Sequence, residues 1–148
     1  MSDLELTLPS RVLELAFDTY IDVFPRRFFD ADSFEYVVYD DESPKTEYLN
    51  FKNSGLSVIF EGILLKGVFM YINGDGYTKF GKACTYLDEA FWHAPTQEKF
   101  EKILLGHKFS TGKSGSKFLL SMNKDNVVFS YMDSPNASYI YFGQRGPY

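Results

Sequence analysis

The feature of this sequence that most constrains the fold is a series of short blocks rich in aromatic and β-branched residues. The chain contains 15 Phe and 11 Tyr among its 148 residues, and residues of these types favour strands over helices. Within the block 56–60 the side chains alternate, so that Leu56, Val58 and Phe60 share one face. Polar turns with Asn, Gly, Asp or Pro separate the blocks. The pattern predicts seven strands, at residues 34–39, 46–51, 56–60, 65–72, 117–122, 127–131 and 138–142.

Two other segments have the three- and four-residue spacing of an amphipathic helix. The first spans about residues 10–24 and stops at Pro25, which cannot continue a helix. The second spans residues 95–105, with Thr96 as its N-cap. Gly106 is predicted to end this helix in the left-handed backbone conformation that glycine tolerates.

The order of helix, loop and strand meander therefore occurs twice along the chain. Residues 56–60 align with residues 127–131 at an offset of 71, which suggests an internal duplication. No linker-like stretch separates the halves, so we predict one domain over residues 1–148. The expected fold class is α+β, an antiparallel β-meander sheet with helices packed on one face.

Charge and cysteine content predict the compartment and exclude some classes of partner. Cys84 is the lone cysteine, so no intramolecular disulfide can form and a reducing compartment is expected. The first residues are acidic where a secretory signal would be basic, and no apolar run approaches the roughly 18 residues of a membrane span. A net charge of −5 lacks the basic footprint of general nucleic-acid binding. We therefore expect a cytoplasmic protein that binds neither nucleic acid nor membrane.

Motifs for catalysis or cofactor binding are weak in this sequence. The run 106–114 looks like a phosphate-binding loop, but five residues instead of four separate its first two glycines, and it leaves a helix to enter a strand. Cys84, His93 and His107 do not have the spacing of metal ligands. The sequence thus predicts a binding protein with no cofactor and no metal. A small hydrolase that uses Cys84 or His93 as a catalytic group remains an alternative.

Acidic residues cluster around the first two predicted strands. Residues 28–50 carry seven acids against Lys45 alone, whereas residues 95–124 carry six lysines against two glutamates. An acidic stretch favours a basic protein partner. A second candidate contact is the loop 73–80, in which two glycines surround an acid before aromatic residues, with Trp92 as a further aromatic anchor. From these patterns the candidate partner-binding residues are Asp40, Asp41, Glu42, Glu47, Asp75 and Tyr77.

Blocks 55–60, 68–72 and 74–80, together with the second helix and its loop 110–112, resemble small bacterial immunity proteins. Proteins of that kind accompany secreted or contact-dependent toxins, and their helix-and-meander plan is similar to the β-lactamase-inhibitor-like repeat. The resemblance covers residues 55–143. It implies a cytoplasmic antidote that binds a cognate toxin domain and blocks its active site or substrate entry. Many such toxins are nucleases with basic clefts, to which opposite charge would steer an acidic inhibitor.

Two further possibilities stay open beside the antidote. Aromatic residues make up 18% of the chain and can line an apolar pocket, so a non-enzymatic ligand-binding or scaffold module is the alternative function. A free edge of the sheet can also support a homodimer.

Overall fold

A computed structural model describes residues 35–39, 41, 45–62, 64–81, 86–112, 116–125 and 127–144 of the chain. The helix predicted at 10–24 and its stop at Pro25 lie outside these residues, and so does Cys84. Within the described ranges, no helix has the length and apolar character needed to cross a membrane.

Eight strands of the described chain form one antiparallel sheet. Their order across the sheet is β1-β2-β3-β4-β8-β7-β6-β5. All seven predicted strands are present, with ends shifted by at most two residues, whereas the short β5 was not predicted. The coarse α+β plan is confirmed, although the helical part is small. The strands are β1 (Glu35–Tyr39), β2 (Thr46–Phe51), β3 (Leu56–Glu61), β4 (Leu64–Gly74), β5 (Ser110–Thr111), β6 (Leu119–Lys124), β7 (Val127–Asp133) and β8 (Ala137–Gln144).

The pairing of β4 with β8 joins the two meanders into one sheet. Val68 lies opposite Phe142, and Met70 lies opposite Ile140. Strands β3 and β7, which contain the segments aligned at an offset of 71, flank this central pair on its two sides. The two meanders therefore occupy equivalent places about the β4–β8 pair. A duplication of the sequence itself stays a prediction.

One face of the sheet, here called the inner face, packs against the short helices α1 (Glu89–His93) and α2 (Gln97–Gly106). Trp92 of α1 and Phe100 of α2 are fully or almost fully buried against it. Helix α1 was not predicted, because five residues are too few to show a helical period. Its first turn is fixed locally, since Asp88 Oδ1 accepts a hydrogen bond from Phe91 N at 2.9 Å.

Helix α2 begins where the sequence predicts and ends differently. Thr96 Oγ1 accepts a hydrogen bond at 3.1 Å from the backbone N–H three residues further on, which confirms the N-cap. The left-handed residue is Lys108, with a φ of 72°, so the prediction for Gly106 is wrong. Phe109 N donates to Leu104 O at 3.0 Å, and Phe109 is buried. The chain reverses at Lys108 because that position brings the Phe109 ring into the core.

The opposite face of the sheet, here called the outer face, has a second apolar cluster. Ile59, Val128 and Tyr141 are buried there, and Tyr48 and Phe69 pack against them. The strands therefore carry apolar side chains on both faces.

Two glycines make room for the fully buried Tyr141 ring on the outer face. Gly67 of β4 and Gly143 of β8 lie opposite each other. A Cβ at either position would lie 2.5 Å from Tyr141 Oη, which is closer than side chains tolerate. The ring fills the space over the glycine pair, and its hydroxyl donates to Lys66 O at 3.4 Å.

We expect Gly67→Ala to lower the free energy of unfolding by about 2 kcal/mol, because the added methyl group overpacks the site under Tyr141. Gly106→Ala is the matched control, since a Cβ there meets nothing within 4 Å. In that helical position alanine is neutral or stabilises by up to about 1 kcal/mol. Urea unfolding of both variants measures the difference. A Gly67→Ala variant as stable as the original chain would contradict this packing of Tyr141.

Candidate functional site

A groove of about 460 Å³ opens on the outer face over strands β1 to β4 and β8. Because five tyrosines line it, we call it the tyrosine groove. Its volume falls in the range of about 300–1,000 Å³ that is usual for ligand sites. The lining residues are Glu35, Val37, Tyr39, Tyr48, Asn50, Lys52, Ser57, Phe69, Tyr71, Asp75, Tyr77 and Tyr139.

The strand register explains how these side chains come together. Glu35 lies opposite Asn50, Asn50 opposite Ser57, and Ser57 opposite Phe69, so one row of outward side chains crosses β1 to β4. Ser57 is the smallest member of the row and lies between larger side chains. The groove exists because this small residue separates the aromatic rings of β1 and β2 from those of β4 and β8.

Side-chain hydrogen bonds in series form the floor of the groove. Asn50 Nδ2 donates to Glu35 Oε1 at 3.1 Å, and Ser57 Oγ donates to Asn50 Oδ1 at 2.5 Å. Ser57 also forms a hydrogen bond with the Tyr77 side chain. These bonds fix the orientation of the floor before any ligand arrives.

The aromatic rings form two walls. On one side Tyr39 and Tyr48 meet edge to face, with centroids 5.8 Å apart. On the other side Tyr71 and Tyr77 stack at 3.9 Å with an interplanar angle of 10°, and Tyr139 lies 5.5 Å from Tyr71. Such contacts hold the rings in place in addition to the area they bury.

A tight turn after β4 places Tyr77 over Tyr71. Gly74, Asp75 and Gly76 all have positive φ, at 98°, 55° and 78°, and Tyr77 N donates to Gly74 O at 3.1 Å. At Gly74 a side chain would collide with Ala137, since a Cβ would lie 2.7 Å from its Cα. The turn folds the chain back across the end of β4 and leaves Asp75 exposed at the rim of the groove.

Charge in the groove comes from two carboxylates and one ammonium. Glu35, Asp75 and Lys52 line it, and Lys52 Nζ lies 5.8 Å above the Tyr77 ring. Burial raises the pKa of Tyr71 and of Tyr77, and the negative charge of Asp75 adds to both shifts. For Tyr77 the charge of Glu35 raises the pKa further, while the Ser57 hydrogen bond opposes these effects. Both hydroxyls are therefore protonated at neutral pH and can donate hydrogen bonds.

The two loop residues predicted as contacts both belong to this site. Asp75 is exposed and Tyr77 is partly buried, and both line the tyrosine groove. Asp41 is exposed in the turn after β1. Asp40 and Glu42 lie outside the described residues.

Glu47, one of the predicted partner-binding residues, is buried rather than exposed. Its neighbours Leu49 and Phe51 on β2 point to the inner face, and the period of two puts Glu47 on that face as well. The side chain is buried, with 4% of its surface exposed. The Tyr36 hydroxyl donates to Glu47 Oε1, and Lys45 Nζ lies 3.9 Å from the same oxygen. Glu47 Oε2 has no hydrogen-bond partner among the described residues.

Trp92 is also unavailable as an aromatic anchor. Only 1% of its surface is exposed, and its ring packs 5.2 Å from Phe80 within the core. The two histidines weighed for chemistry, His93 and His107, are both exposed, and His107 lies 4.4 Å from the Tyr86 ring. Across the described ranges, no group of three or more His, Cys, Asp and Glu residues could hold a metal ion.

Sequence reasoning missed most of the aromatic lining. The predicted strands contain four of the groove tyrosines, but the prediction does not specify on which face of the sheet their side chains lie. They are Tyr39, Tyr48, Tyr71 and Tyr139. The signal was available for three of them, because Tyr48, Tyr71 and Tyr139 stand at positions that alternate with core-facing residues of their strands.

Comparisons with protein-family models, with curated proteins and with solved structures find no match to this chain.

We expect the free energy of unfolding to fall as the pH rises above about 10. Burial raises the pKa of Tyr71 and Tyr141 in the folded chain, and it raises the pKa of Tyr131 to about 12, whereas an unperturbed tyrosine titrates at 10.0. Below pH 10 both states hold these protons and the full stability is present. Above pH 10 the unfolded chain alone loses them, which costs up to about 1.4 kcal/mol per pH unit for each tyrosine.

Urea unfolding between pH 8 and pH 11 measures this slope. Tyr141→Phe removes one of the titrating groups, so its stability should fall less steeply over the same range. A slope for Tyr141→Phe identical to that of the original chain would contradict the assignment.

Proposed function

We propose that this chain is a non-enzymatic binding protein whose tyrosine groove holds a segment of a protein partner. The observation that carries the proposal is the preformed groove itself, in which five tyrosines and two carboxylates surround a hydrogen-bonded polar floor. The partner that fits best is a basic toxin domain, as the resemblance to immunity proteins implies.

Tyrosine suits a protein-binding surface for a physical reason. Its rigid ring offers a large contact area at small cost in conformational entropy, and its hydroxyl satisfies polar groups of the partner. Tyr39 is 46% exposed at the edge of the groove, so its ring is available for such contact. The hydroxyls of Tyr71 and Tyr77 remain protonated donors, as their raised pKa values require.

Charge favours a basic partner. The chain carries a net charge of −5, and two of the three charged residues in the groove are acids. A negative surface raises the rate at which a basic domain associates with it. Glu35 and Asp75 of the groove are exposed, whereas Glu47 is buried. We therefore propose these two carboxylates, in place of Glu47, as acidic contacts.

A small apolar molecule is the second candidate occupant of the same groove. The volume of about 460 Å³ favours it, as does the mixture of aromatic walls with a few convergent polar groups. Under this alternative the chain is a ligand-binding module, and no toxin is involved.

We expect Tyr39→Ala to weaken binding of a purified partner by about tenfold, because loss of an aromatic contact at an interface costs about 1–2 kcal/mol. Leu105→Ala is the matched control, since Leu105 is 50% exposed but belongs to α2 on the inner face. The partner is first captured from host lysate with the tagged chain and then produced alone. Calorimetry with the purified partner compares the two variants, and circular dichroism confirms that both are folded.

The same partner is then tested for toxicity in cells. Rescue of growth by the original chain and by Leu105→Ala, but not by Tyr39→Ala, is the result expected of an immunity protein. Equal binding by all three chains would reject the groove as the interface. A small molecule that co-purifies with the original chain and not with Tyr39→Ala would favour the second candidate.

A further inference from the structure

We propose that the tyrosine groove recognises an arginine side chain of the partner, with the guanidinium group lying between the aromatic walls and facing the carboxylates of Glu35 and Asp75. This inference rests on the proposed function, and it specifies the chemical group of the partner that the groove binds.

The shape of the groove suits a long, thin side chain. The row from Glu35 through Asn50 and Ser57 to Phe69 crosses three strand spacings, about 14 Å in all. Ser57, small and central, leaves space between the rings of Tyr48 and Tyr71. A side chain laid along this row would have aromatic faces beside it and polar atoms beneath it.

The charge of the groove suits a cation. Glu35 and Asp75 stand at different parts of the lining, one on β1 and one on the turn after β4. Both line the same groove as Tyr77, and the charge of each raises the pKa of the Tyr77 hydroxyl. A cation placed near Tyr77 would therefore interact favourably with both carboxylates.

The chain already places one cation against this aromatic surface. Lys52 Nζ lies 5.8 Å from the centroid of the Tyr77 ring, while the ring also stacks on Tyr71. The attraction of an ammonium to a tyrosine face is the interaction that the proposed ligand would make. Lys52 is exposed on a short 3₁₀ turn, so it competes with an incoming cation for the negative charge of the groove.

A guanidinium fits the floor better than an ammonium. It is planar, so it can stack on a tyrosine ring while its edge donates hydrogen bonds. Asn50 Oδ1, Ser57 Oγ and the Glu35 carboxylate are acceptors on the floor, and Asp75 adds a carboxylate at the rim. An ammonium carries its three donors on one nitrogen and is more strongly hydrated, so it would form hydrogen bonds with fewer of these acceptors.

The test uses the full chain and three capped amino acids, the N-acetyl methylamides of arginine, lysine and citrulline. Citrulline has nearly the shape of arginine without its charge. Chemical-shift titrations follow the backbone amides of Ser57 and Tyr71. We expect arginine to bind about fivefold more tightly than citrulline, with lysine between them.

Two charge variants give a sharper readout. Asp75→Asn should weaken arginine binding by about threefold, and asparagine keeps the turn because it tolerates the positive φ at this position. Lys52→Gln should tighten arginine binding by about threefold, because it removes the competing cation. Glu98→Gln and Lys102→Gln make the same changes of net charge on α2, and they should leave the affinity unchanged.

The outcomes separate this inference from the proposed function. Equal binding of arginine and citrulline would overturn the arginine site, and so would charge variants that behave like their α2 controls. If that happens while Tyr39→Ala still loses the purified partner, the groove remains a protein-binding site for another group. If arginine binds as expected and no partner depends on Tyr39, the cation site stands and the protein-binding function fails.

Discussion

The pairing of β4 with β8 is the interaction on which the other parts of this structure depend. These strands join the two meanders, with Val68 opposite Phe142 and Met70 opposite Ile140. Without this pairing each meander would have one more open edge and half of the inner core. With it, Val68 and Met70 of the first meander and Phe142 and Ile140 of the second join in one inner core. The tyrosine groove depends on the same pairing, because Tyr139 of β8 joins Tyr71 of β4 in one wall.

The outer face combines rigidity with open space. Tyr141 is locked over Gly67 and Gly143, and its neighbour Phe69 packs 4.8 Å from it. This packed region supports the groove from one side, while the floor of Asn50 and Ser57 supports it from below. A binding surface held in this way loses little conformational entropy on association, which favours affinity.

Much of the fold could be predicted from the sequence, because the strands alternate clearly and the turns between them are marked by polar residues. The N-cap at Thr96 was predictable for the same local reason. Helix α1 was not predictable, since its five residues are too few to show a helical period. The reversal at Lys108 was missed because glycine preference is a weaker constraint than the burial of Phe109. For the site, local pattern found Asp75 and Tyr77, whereas the rest of the lining depends on cross-strand register. The burial of Glu47 was not predictable from its charge, because charge alone does not assign a face to a residue in a strand.

The alternation that divides the strands into two faces has a consequence for how such a chain can change over time. Inner-face residues such as Leu49 and Phe51 hold the core, while Tyr48 and Asn50, their neighbours along β2, line the groove. A substitution at an outward position that lines the groove alters what the groove accepts and leaves the inner core intact. A lineage of such proteins can therefore exchange one partner for another by changing a few outward side chains, and the scaffold need not be rebuilt each time.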